Sequence, residues 1–251
     1  MKRVATALIL IPFIVWTALW APEWAFDLVL GASGLIAFYE FERIAALGRL
    51  PIALGMVAGL AVLFAPEPFW VALLAAFAAM TLSLASRDLP HALSGSAALV
   101  LGVLYIFGAW RCAVGLRAFN PHWLMIALLV SWAGDTAALY VGRAWGRRKL
   151  APSISPGKTW EGAAASVIGG MLAAGLYARF VIPSFPLARV LAIAAAANIA
   201  GQIGDLCESA FKRGAGVKDS GSTLPGHGGW LDRMDSSLFA IPTVYAILRF
   251  L

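Results

Sequence analysis

Residues 123–141 read WLMIALLVSWAGDTAALYV, an apolar run long enough to cross a membrane as an α-helix. A helix needs about 20 mostly apolar residues to cross the hydrocarbon core of a bilayer. One carboxylate, Asp135, interrupts the run, and at the bilayer centre it costs roughly 2.5–3.5 kcal/mol on insertion scales. A structural contact between helices is one explanation. A polar site is favoured, because Arg143 follows two helical turns later.

The whole chain shares the character of this stretch. Of its 251 residues, 61% are hydrophobic and 13% are charged, whereas soluble domains average about 45–50% apolar and about 25% charged residues. So little charge cannot cover a globular surface, which excludes an ordinary soluble enzyme and a disordered chain. Two cysteines, Cys112 and Cys207, are too few for a disulfide framework or a zinc cluster. The composition predicts a helical membrane protein.

Apolar runs of membrane-spanning length recur along the chain. We predict an all-α fold, a polytopic integral membrane protein with about nine transmembrane helices, at residues 4–20, 24–40, 50–66, 69–86, 92–110, 123–141, 162–182, 187–206 and 236–251. Most connections are short, so residues 1–251 form one integral domain, with N-terminal helices in 1–120 and the polar motifs in 121–251. Small residues in 162–176 and 192–204 favour close helix packing and would permit a homodimer.

Basic residues are distributed unevenly between the two sides of this topology. Most of the 19 Lys and Arg residues fall in the N-terminus and in loops on the same side, near 41–49, 87–91, 142–161 and 207–235. The excess of Lys and Arg makes this side cytoplasmic. A net charge of +6 suits anionic lipid headgroups or phosphorylated substrates. Nucleic acid is a poor partner, because membrane helices interrupt the basic residues.

The segment SISPGKTWEG, residues 153–162, offers groups that bind anions. Its Gly-Lys-Thr ending resembles a Walker A loop, but that motif requires Gly five residues before Gly157, where this chain has proline. We therefore exclude a P-loop. Gly157 still lets the backbone approach an anion, Lys158 adds a positive charge, and Ser155 and Thr159 add hydroxyl groups. The alternative is a solvated turn.

Asp205 and Glu208 lie three residues apart near the end of the eighth predicted helix, so they share one helix face. Two carboxylates in this arrangement can hold a divalent cation through oxygen ligands. The alternative is a pair of acids at a helix end that Lys212 and Arg213 neutralise.

The richest polar segment is residues 212–236, KRGAGVKDSGSTLPGHGGWLDRMDS. Its basic groups would bind phosphate oxygens, its aspartates would bind Mg²⁺, and its glycines would let backbone amides reach a phosphate. Asp232 and Asp235 are again three residues apart, and together with Asp205 they predict a site for one or two metal ions. The role of His227 stays open between a structural group, a phosphate ligand and a base.

These blocks resemble the signature of the bacterial phosphatidate cytidylyltransferases, or CDP-diacylglycerol synthases. That signature runs Ser-x-apolar-Lys-Arg, Lys-Asp, Leu-Pro-x-His-Gly-Gly and Asp-Arg-x-Asp, and this chain matches it in residues and spacing from Ser209 to Asp235. Residues 154–162 and 204–206 resemble further blocks of the family. One departure is Trp230, where the pattern leads us to expect an aliphatic residue. The N-terminal half has the expected hydropathy but no matching motif.

The resemblance implies a membrane enzyme that joins CTP to phosphatidate and releases pyrophosphate. It implies Mg²⁺ as cofactor, with K⁺ as a candidate second cation, and an active site that faces the cytoplasm from a bacterial inner (cytoplasmic) membrane. The implied metal ligands are Asp205, Asp232 and Asp235. From the residues themselves we predict the catalytic residues Lys212, Arg213, Lys218, Asp219, His227 and Arg233. The predicted substrate-binding residues are Ser155, Gly157, Lys158, Thr159, Gly226, Gly228, Gly229, Asp135 and Arg143.

Two other functions stay open at this point. A CTP-dependent polyprenol or phytol kinase would transfer the γ-phosphate to an alcohol and release CDP instead of pyrophosphate. An ion-coupled transporter would use Asp135 and Asp205 as intramembrane carboxylates. The transporter is the weaker of the two, because the polar groups crowd the cytoplasmic end of one half of the chain.

Overall fold

The computed structural model describes residues 2–84, 89–223 and 228–250, with side chains described from residue 8 onward. In these ranges every predicted apolar run coincides with a helix. The helices are α1 (Lys2–Leu19), α2 (Glu23–Ile44), α3 (Arg49–Phe64), α4 (Pro68–Leu84), α5 (Ala92–Gly102), α6 (Ala109–Phe119), α7 (Pro121–Trp145), α8 (Trp160–Val181), α9 (Leu187–Gly214) and α10 (Ser237–Phe250). Short 3₁₀ turns occupy Leu89–His91 and Leu231–Arg233.

Length and hydropathy support a multi-pass membrane protein. In the described part of the chain, five helical segments are long and apolar enough to cross a bilayer: Glu23–Ile44, Leu89–Phe119, Pro121–Trp145, Trp160–Val181 and Leu187–Gly214. Four shorter apolar helices accompany them: Leu8–Leu19, Arg49–Phe64, Pro68–Leu84 and Ser237–Phe250. Helices predominate because lipid offers no hydrogen bonds to backbone groups, so each segment must satisfy its own. The helical membrane fold is confirmed. Nine spans are predicted, and five of the described helices meet the length and hydropathy for a span.

Helix α9 is longer than the sequence predicts, and the difference matters for the site. We predict an end at residue 206, where polar residues begin, but α9 continues to Gly214. Gly216 follows with a φ of +72°, a left-handed conformation that commonly ends a helix. Asp205, Glu208 and Lys212 therefore lie on one continuous helix, at positions i, i+3 and i+7.

The fifth predicted span, at 92–110, is also longer than expected. A π-helical segment, Val103–Gly108, joins α5 to α6, and the helix continues to Phe119. Arg111, one residue beyond the predicted end of this span, lies inside α6, and its guanidinium donates to the carbonyl of Leu63 at 3.0 Å. This bond satisfies a carbonyl at the end of α3 that has no partner within its own helix.

Within the described ranges, a β-hairpin is the departure from an all-helical fold. Strand β1 (Lys149–Ala151) pairs antiparallel with β2 (Ser155–Thr159), in the loop between α7 and α8. The carboxylate of Glu161, at the start of α8, accepts the backbone N–H groups of Arg147 at 3.1 Å and Arg148 at 3.3 Å. These bonds fix the hairpin against the end of α7.

Helices α7, α8 and α9 pack closely and carry polar contacts between them. A Cβ at Gly134 of α7 would lie 2.3 Å from the side-chain nitrogen of Asn198, so only glycine allows this approach. Asn198 donates to the carbonyl of Val130 at 3.2 Å, and Gln202 donates to Asn198 at 2.7 Å. Because lipid is as apolar as a leucine side chain, such close packing and hydrogen bonds hold membrane helices together. They fix the faces that carry Asp135 and Asp205.

Candidate active site

A cleft of about 470 Å³ opens where α7, the hairpin, α8 and α9 meet. Small residues let its walls approach, and a Cβ at Gly162 of α8 would lie 3.0 Å from the carbonyl of Ala138 on α7. The predicted site residues that line the cleft are Asp135, Arg143, Ser155, Gly157, Lys158, Thr159 and Asp205. The fold therefore brings residues of three separate sequence motifs together.

An ion pair crosses this cleft from the hairpin to α9. Lys158 Nζ lies 2.6 Å from Asp205 Oδ2, and the two side chains are 25% and 30% exposed. The hydroxyl of Ser209 donates to the other oxygen of Asp205 at 3.3 Å. Since water screens a pair that is this exposed, it stabilises the fold only slightly. The two side chains can therefore separate, and each can bind a ligand, at little cost in free energy.

Of the remaining hairpin residues, some hold the structure together and one leaves its backbone open to a ligand. The hydroxyl of Thr159 accepts the N–H of Gly162 at 3.1 Å and so caps α8. Gly157 has no atom within 4 Å of the place where its Cβ would lie, so its backbone is open to an anion. Arg213, at the end of α9, donates to the carbonyl of Ile154 at 3.3 Å and ties the hairpin to that helix.

A buried ion cluster lies beside the cleft, farther along α9. The ammonium of Lys212 lies 2.5 Å from Asp232 Oδ1 and also pairs with Glu208. Glu208 is 1% exposed and Lys212 is 8% exposed. Loss of one member would leave an uncompensated buried charge, which costs about 3–5 kcal/mol in other proteins. The cluster therefore holds the 3₁₀ turn that carries Asp232 against α9.

Asp232 has partners on both of its carboxylate oxygens. Besides Lys212, it accepts the N–H groups of Gly229 at 2.8 Å and Ser220 at 3.0 Å. Burial raises the pKa of Asp232, but the Lys212 ammonium and the two N–H donors outweigh burial and hold this pKa below its usual value. Gly228 has a φ of +81°, and a Cβ there would lie 2.8 Å from Asp232, so glycine is required at this turn.

Asp235 lies in a cluster of like charges. Burial, followed by the carboxylates of Asp205 and Glu208, raises the pKa of Asp235 well above its usual value. Its described hydrogen bond is from the N–H of Ser236, at 2.7 Å. Close approach of α9 creates the cluster, because a Cβ at Gly204 would lie 2.9 Å from the carbonyl of Asp235.

The loop before Asp232 is anchored by an acidic residue of α2, Glu40. One oxygen of Glu40 accepts the N–H of Trp230 at 3.0 Å and the hydroxyl of Thr223. The other accepts the N–H of Leu231 at 2.8 Å and the hydroxyl of Ser220 at 3.0 Å. Glu40 is 3% exposed, so four donors compensate a buried carboxylate. The N-terminal half of the chain thus shapes the site.

No site residue is predicted in α2 from the sequence, and the structure places two there, Ser33 and Glu40. The indole N–H of Trp230 donates to the hydroxyl of Ser33 at 2.8 Å. Trp230, the residue that departs from the family pattern, therefore has a hydrogen-bond partner in this chain. The sequence does carry a signal for Glu40, because Glu40 is a carboxylate inside an apolar run, as Asp135 is.

The other predicted residues lie at the edges of these contacts. Four predicted catalytic residues are exposed: Arg213, Lys218, Asp219 and Arg233. Gly229 is packed so tightly that a Cβ would lie 1.9 Å from the hydroxyl of Ser220. Gly226 and His227 lie outside the described residues.

The predicted metal ligands have different partners. Within residues 2–84, 89–223 and 228–250, no group of three or more His, Cys, Asp or Glu side chains is already arranged to hold a metal ion. Asp205 pairs with Lys158, and Asp232 pairs with Lys212. A cation held by Asp205, Asp232 and Asp235 together would have to displace both lysines.

Known proteins are similar to this chain over most or all of its length. The model of the cytidylyltransferase family matches residues 1–251. A phosphatidate cytidylyltransferase of Pseudomonas aeruginosa is 35% identical over 264 residues, which cover 98% of this chain and 96% of the relative.

Two further relatives match over a shorter stretch. A phosphatidate cytidylyltransferase of Bacillus subtilis is 39% identical over 153 residues, which cover 60% of this chain and 57% of the relative. One of Staphylococcus saprophyticus is 40% identical over 149 residues, which cover 59% of this chain and 57% of the relative. The alignments with these two relatives thus span little more than half of each relative's length.

Proposed function

The chain belongs to the cytidylyltransferase family, and from this membership we propose that it transfers the cytidylyl group of CTP to phosphatidate. The products would be CDP-diacylglycerol and pyrophosphate, so the protein would be a nucleotidyltransferase of phospholipid biosynthesis. The observation that carries the proposal is the cleft in which Lys158 of the hairpin meets Asp205 of α9 at 2.6 Å. A reaction between two phosphates needs a cationic group and a metal-binding carboxylate side by side.

The proposed reaction sets the demands on the site. An oxygen of the phosphatidate phosphomonoester attacks the α-phosphorus of CTP and forms a new P–O bond. The bond from that phosphorus to the oxygen that bridges to the β-phosphate breaks, and pyrophosphate leaves with its electron pair. The attacking group is already largely anionic near neutral pH, so it needs little deprotonation. The main barrier is repulsion between two anions, so catalysis depends on positioning and on charge neutralisation.

Cations from three elements are available for this neutralisation. Lys158 of β2 and Arg143 of α7 line the cleft, and we assign both to phosphate oxygens. Arg143 suits a bidentate contact, whereas Lys158 acts as a point charge. Lys212 of α9 is held between two carboxylates, and we assign it to the electrostatic framework that orders the loop around Asp232.

Mg²⁺ belongs to the proposal, and the acidic residues fit it to different degrees. Asp205 and Asp235 fit better, because carboxylate oxygens are the hard donors that a divalent cation prefers and the partly exposed pair of Asp205 with Lys158 can open. Asp232 fits less well, since Lys212 and two N–H groups already occupy its oxygens. When bound, Mg²⁺ would neutralise phosphate charge and stabilise the departing pyrophosphate. K⁺ as a second cation stays a prediction.

The proposed location is a bacterial inner membrane, with the cleft open to the cytoplasm. Five long apolar helices support a multi-pass protein. We propose that the four shorter helices also cross the bilayer, since local thinning and terminal basic residues accommodate short spans. The concentration of Lys and Arg on the side of the hairpin supports the cytoplasmic orientation. The homodimer stays a prediction that the mass of the protein in nanodiscs would check.

The test uses purified protein in detergent with Mg²⁺, phosphatidate and CTP that is labelled separately at the α- and γ-phosphates. We expect α-label in the lipid phase and labelled pyrophosphate in the water phase from γ-labelled CTP. The γ-label in the lipid would contradict the proposal and indicate a lipid kinase. Absence of transfer from either position, with metal and lipid confirmed, would also contradict it.

Replacing Asp235 with Asn is expected to stabilise the metal-free protein and to abolish turnover. A carboxyl whose pKa is raised in the folded state stabilises the fold only at low pH, and this contribution is lost as the pH rises through the folded-state pKa. The neutral amide avoids the cost of burying a carboxylate and, after that, the repulsion from Asp205 and Glu208, so we expect the variant to be more stable at pH 7. Thermal unfolding in EDTA is the measurement. A Tm below that of the wild type would show that burial and the neighbouring carboxylates do not destabilise the charged form of Asp235.

A further inference from the structure

Tyr105 lies in the π-helical segment between α5 and α6, outside the sequence motifs and outside the residues assigned to the reaction above. π-Helical turns are rare and often occur at functional sites, because they re-aim side chains within a helix. The segment Val103–Gly108 belongs to the long helical span from Leu89 to Phe119. The position of the Tyr105 hydroxyl therefore needs a physical explanation.

Two aromatic rings from other helices fix the ring of Tyr105. Its centroid lies 5.9 Å from that of Phe41 on α2 and 5.8 Å from that of Phe239 on α10, both in edge-to-face arrangements. Phe239 in turn lies against α9, because a Cβ at Gly204 would be 2.5 Å from the Phe239 ring. Gly204 immediately precedes Asp205. The ring is thus held where α2, α9 and α10 meet, beside the carboxylate cluster.

The hydroxyl of Tyr105 is buried and has no hydrogen-bond partner among the described residues. Its ring contacts Phe239, which packs against Gly204 next to Asp205, so the hydroxyl lies near the carboxylate cluster without a described bond to any member of it. Most buried polar groups in proteins have a partner, so an exception at a reaction site indicates that a ligand supplies it. A tyrosine hydroxyl can donate a hydrogen bond to an acceptor oxygen that enters beside this cluster.

We propose that Tyr105 is a substrate-binding residue whose hydroxyl donates a hydrogen bond to a phosphate oxygen held beside Asp205 and Asp235. The inference rests on the proposed cytidylyl transfer, which brings two kinds of phosphate to this cluster. CTP and phosphatidate offer the same acceptor chemistry, and the experiment below separates them. A phosphate oxygen fits because it carries the negative charge that strengthens a hydrogen bond from a neutral donor.

The test is Tyr105→Phe, which keeps the ring contacts with Phe41 and Phe239 and removes only the hydroxyl. The measurements are the Kd for CTP without lipid, the KM for each substrate, kcat, and the Tm without ligand. We expect binding of one substrate to weaken by about tenfold or more, as for a hydrogen bond to a charged group. A weaker Kd for CTP identifies the nucleotide, whereas a higher KM for phosphatidate with an unchanged Kd for CTP identifies the lipid.

The Tm separates this role from a structural one. Removal of a buried hydroxyl that lacks a partner is expected to leave the Tm of the free protein unchanged or higher. The matched control is Tyr245→Phe on α10, whose ring packs against Gly115 of α6 away from the cluster, and we expect wild-type values for it.

Two results would overturn the inference. One is wild-type Kd, KM and kcat values in Tyr105→Phe. The other is a lower Tm with a uniform loss of active protein. Failure of the proposed function is a separate observation, because it would appear as absence of CDP-diacylglycerol in the wild-type protein itself.

Discussion

Glu40→Gln is expected to lower cytidylyl transfer by roughly a hundred- to a thousandfold while the protein still inserts into the membrane. Glu40 of α2 accepts four hydrogen bonds from the loop that carries Gly229 and Asp232. An amide keeps the shape of the carboxylate but replaces one acceptor oxygen with a donor. Two of the groups that face it are the backbone N–H groups of Trp230 and Leu231, so one N–H must then face the new amide N–H. Removal of one partner from a buried charged network costs about 3–5 kcal/mol.

The matched control lies two residues away on the same helix. Glu42 is fully buried, and neither of its carboxylate oxygens has a hydrogen-bond partner in the described part of the chain. Glu42→Gln changes the same chemical group at the same depth but leaves the loop contacts intact. We expect activity near that of the wild type. Comparison of the two variants therefore isolates the contribution of the loop contacts from that of a buried charge in α2.

A graded variant keeps the prediction testable if Glu40→Gln fails to fold. Ser33→Ala removes only the bond from the Trp230 indole, so we expect a loss of about 1 kcal/mol and a several-fold decrease in activity. The measurements are product formation in detergent and protease protection of the loop in membranes. Full activity in folded Glu40→Gln would show that the loop does not depend on α2.

The sequence predicts the helices well for a physical reason. In lipid, backbone groups must be satisfied within a segment, so apolar runs of sufficient length have few alternatives to a helix. Spacing along a helix also predicts local geometry, because residues three apart share a face, as Asp205 and Glu208 do. The cleft beside Asp205 and its lining by Asp135 and Lys158 follow once these helices pack.

Long-range contacts could not be predicted in this way. Glu40 and Ser220 are 180 residues apart in the chain, and no local pattern links them. The strand Ser155–Thr159 contains Pro156 and Gly157, which are both rare in strands, so its pairing depends on the neighbouring β1 and on Glu161. The π-helical segment at Tyr105 likewise has no sequence signal that we recognise. These features depend on tertiary packing, which overrides local propensity.

Asp232→Asn is expected to abolish turnover, and the partners of Asp232 explain why the loss should be severe. Asp232 accepts hydrogen bonds from the ammonium of Lys212 and from the N–H groups of Gly229 and Ser220. Asparagine offers one acceptor oxygen in place of two, and its NH₂ group then faces one or more of these donors. It also leaves Lys212 with only Glu208 as a counter-charge. Near-normal activity of Asp232→Asn would exclude Asp232 as a metal ligand and as an essential support of the loop.

A pair of further variants decides whether the buried charges serve stability or chemistry. Lys212→Met is expected to lower stability strongly, because it leaves Glu208 and Asp232 buried as like charges. Adding Glu208→Gln restores the balance of charge, so the double variant should recover most of the lost Tm. If Lys212 acts only as a structural counter-charge, turnover should recover in parallel with the Tm. We expect turnover to stay at least a hundredfold low, since the loop around Asp232 still lacks the ammonium that orders it. Parallel recovery of Tm and turnover would contradict an electrostatic role for Lys212 in the reaction.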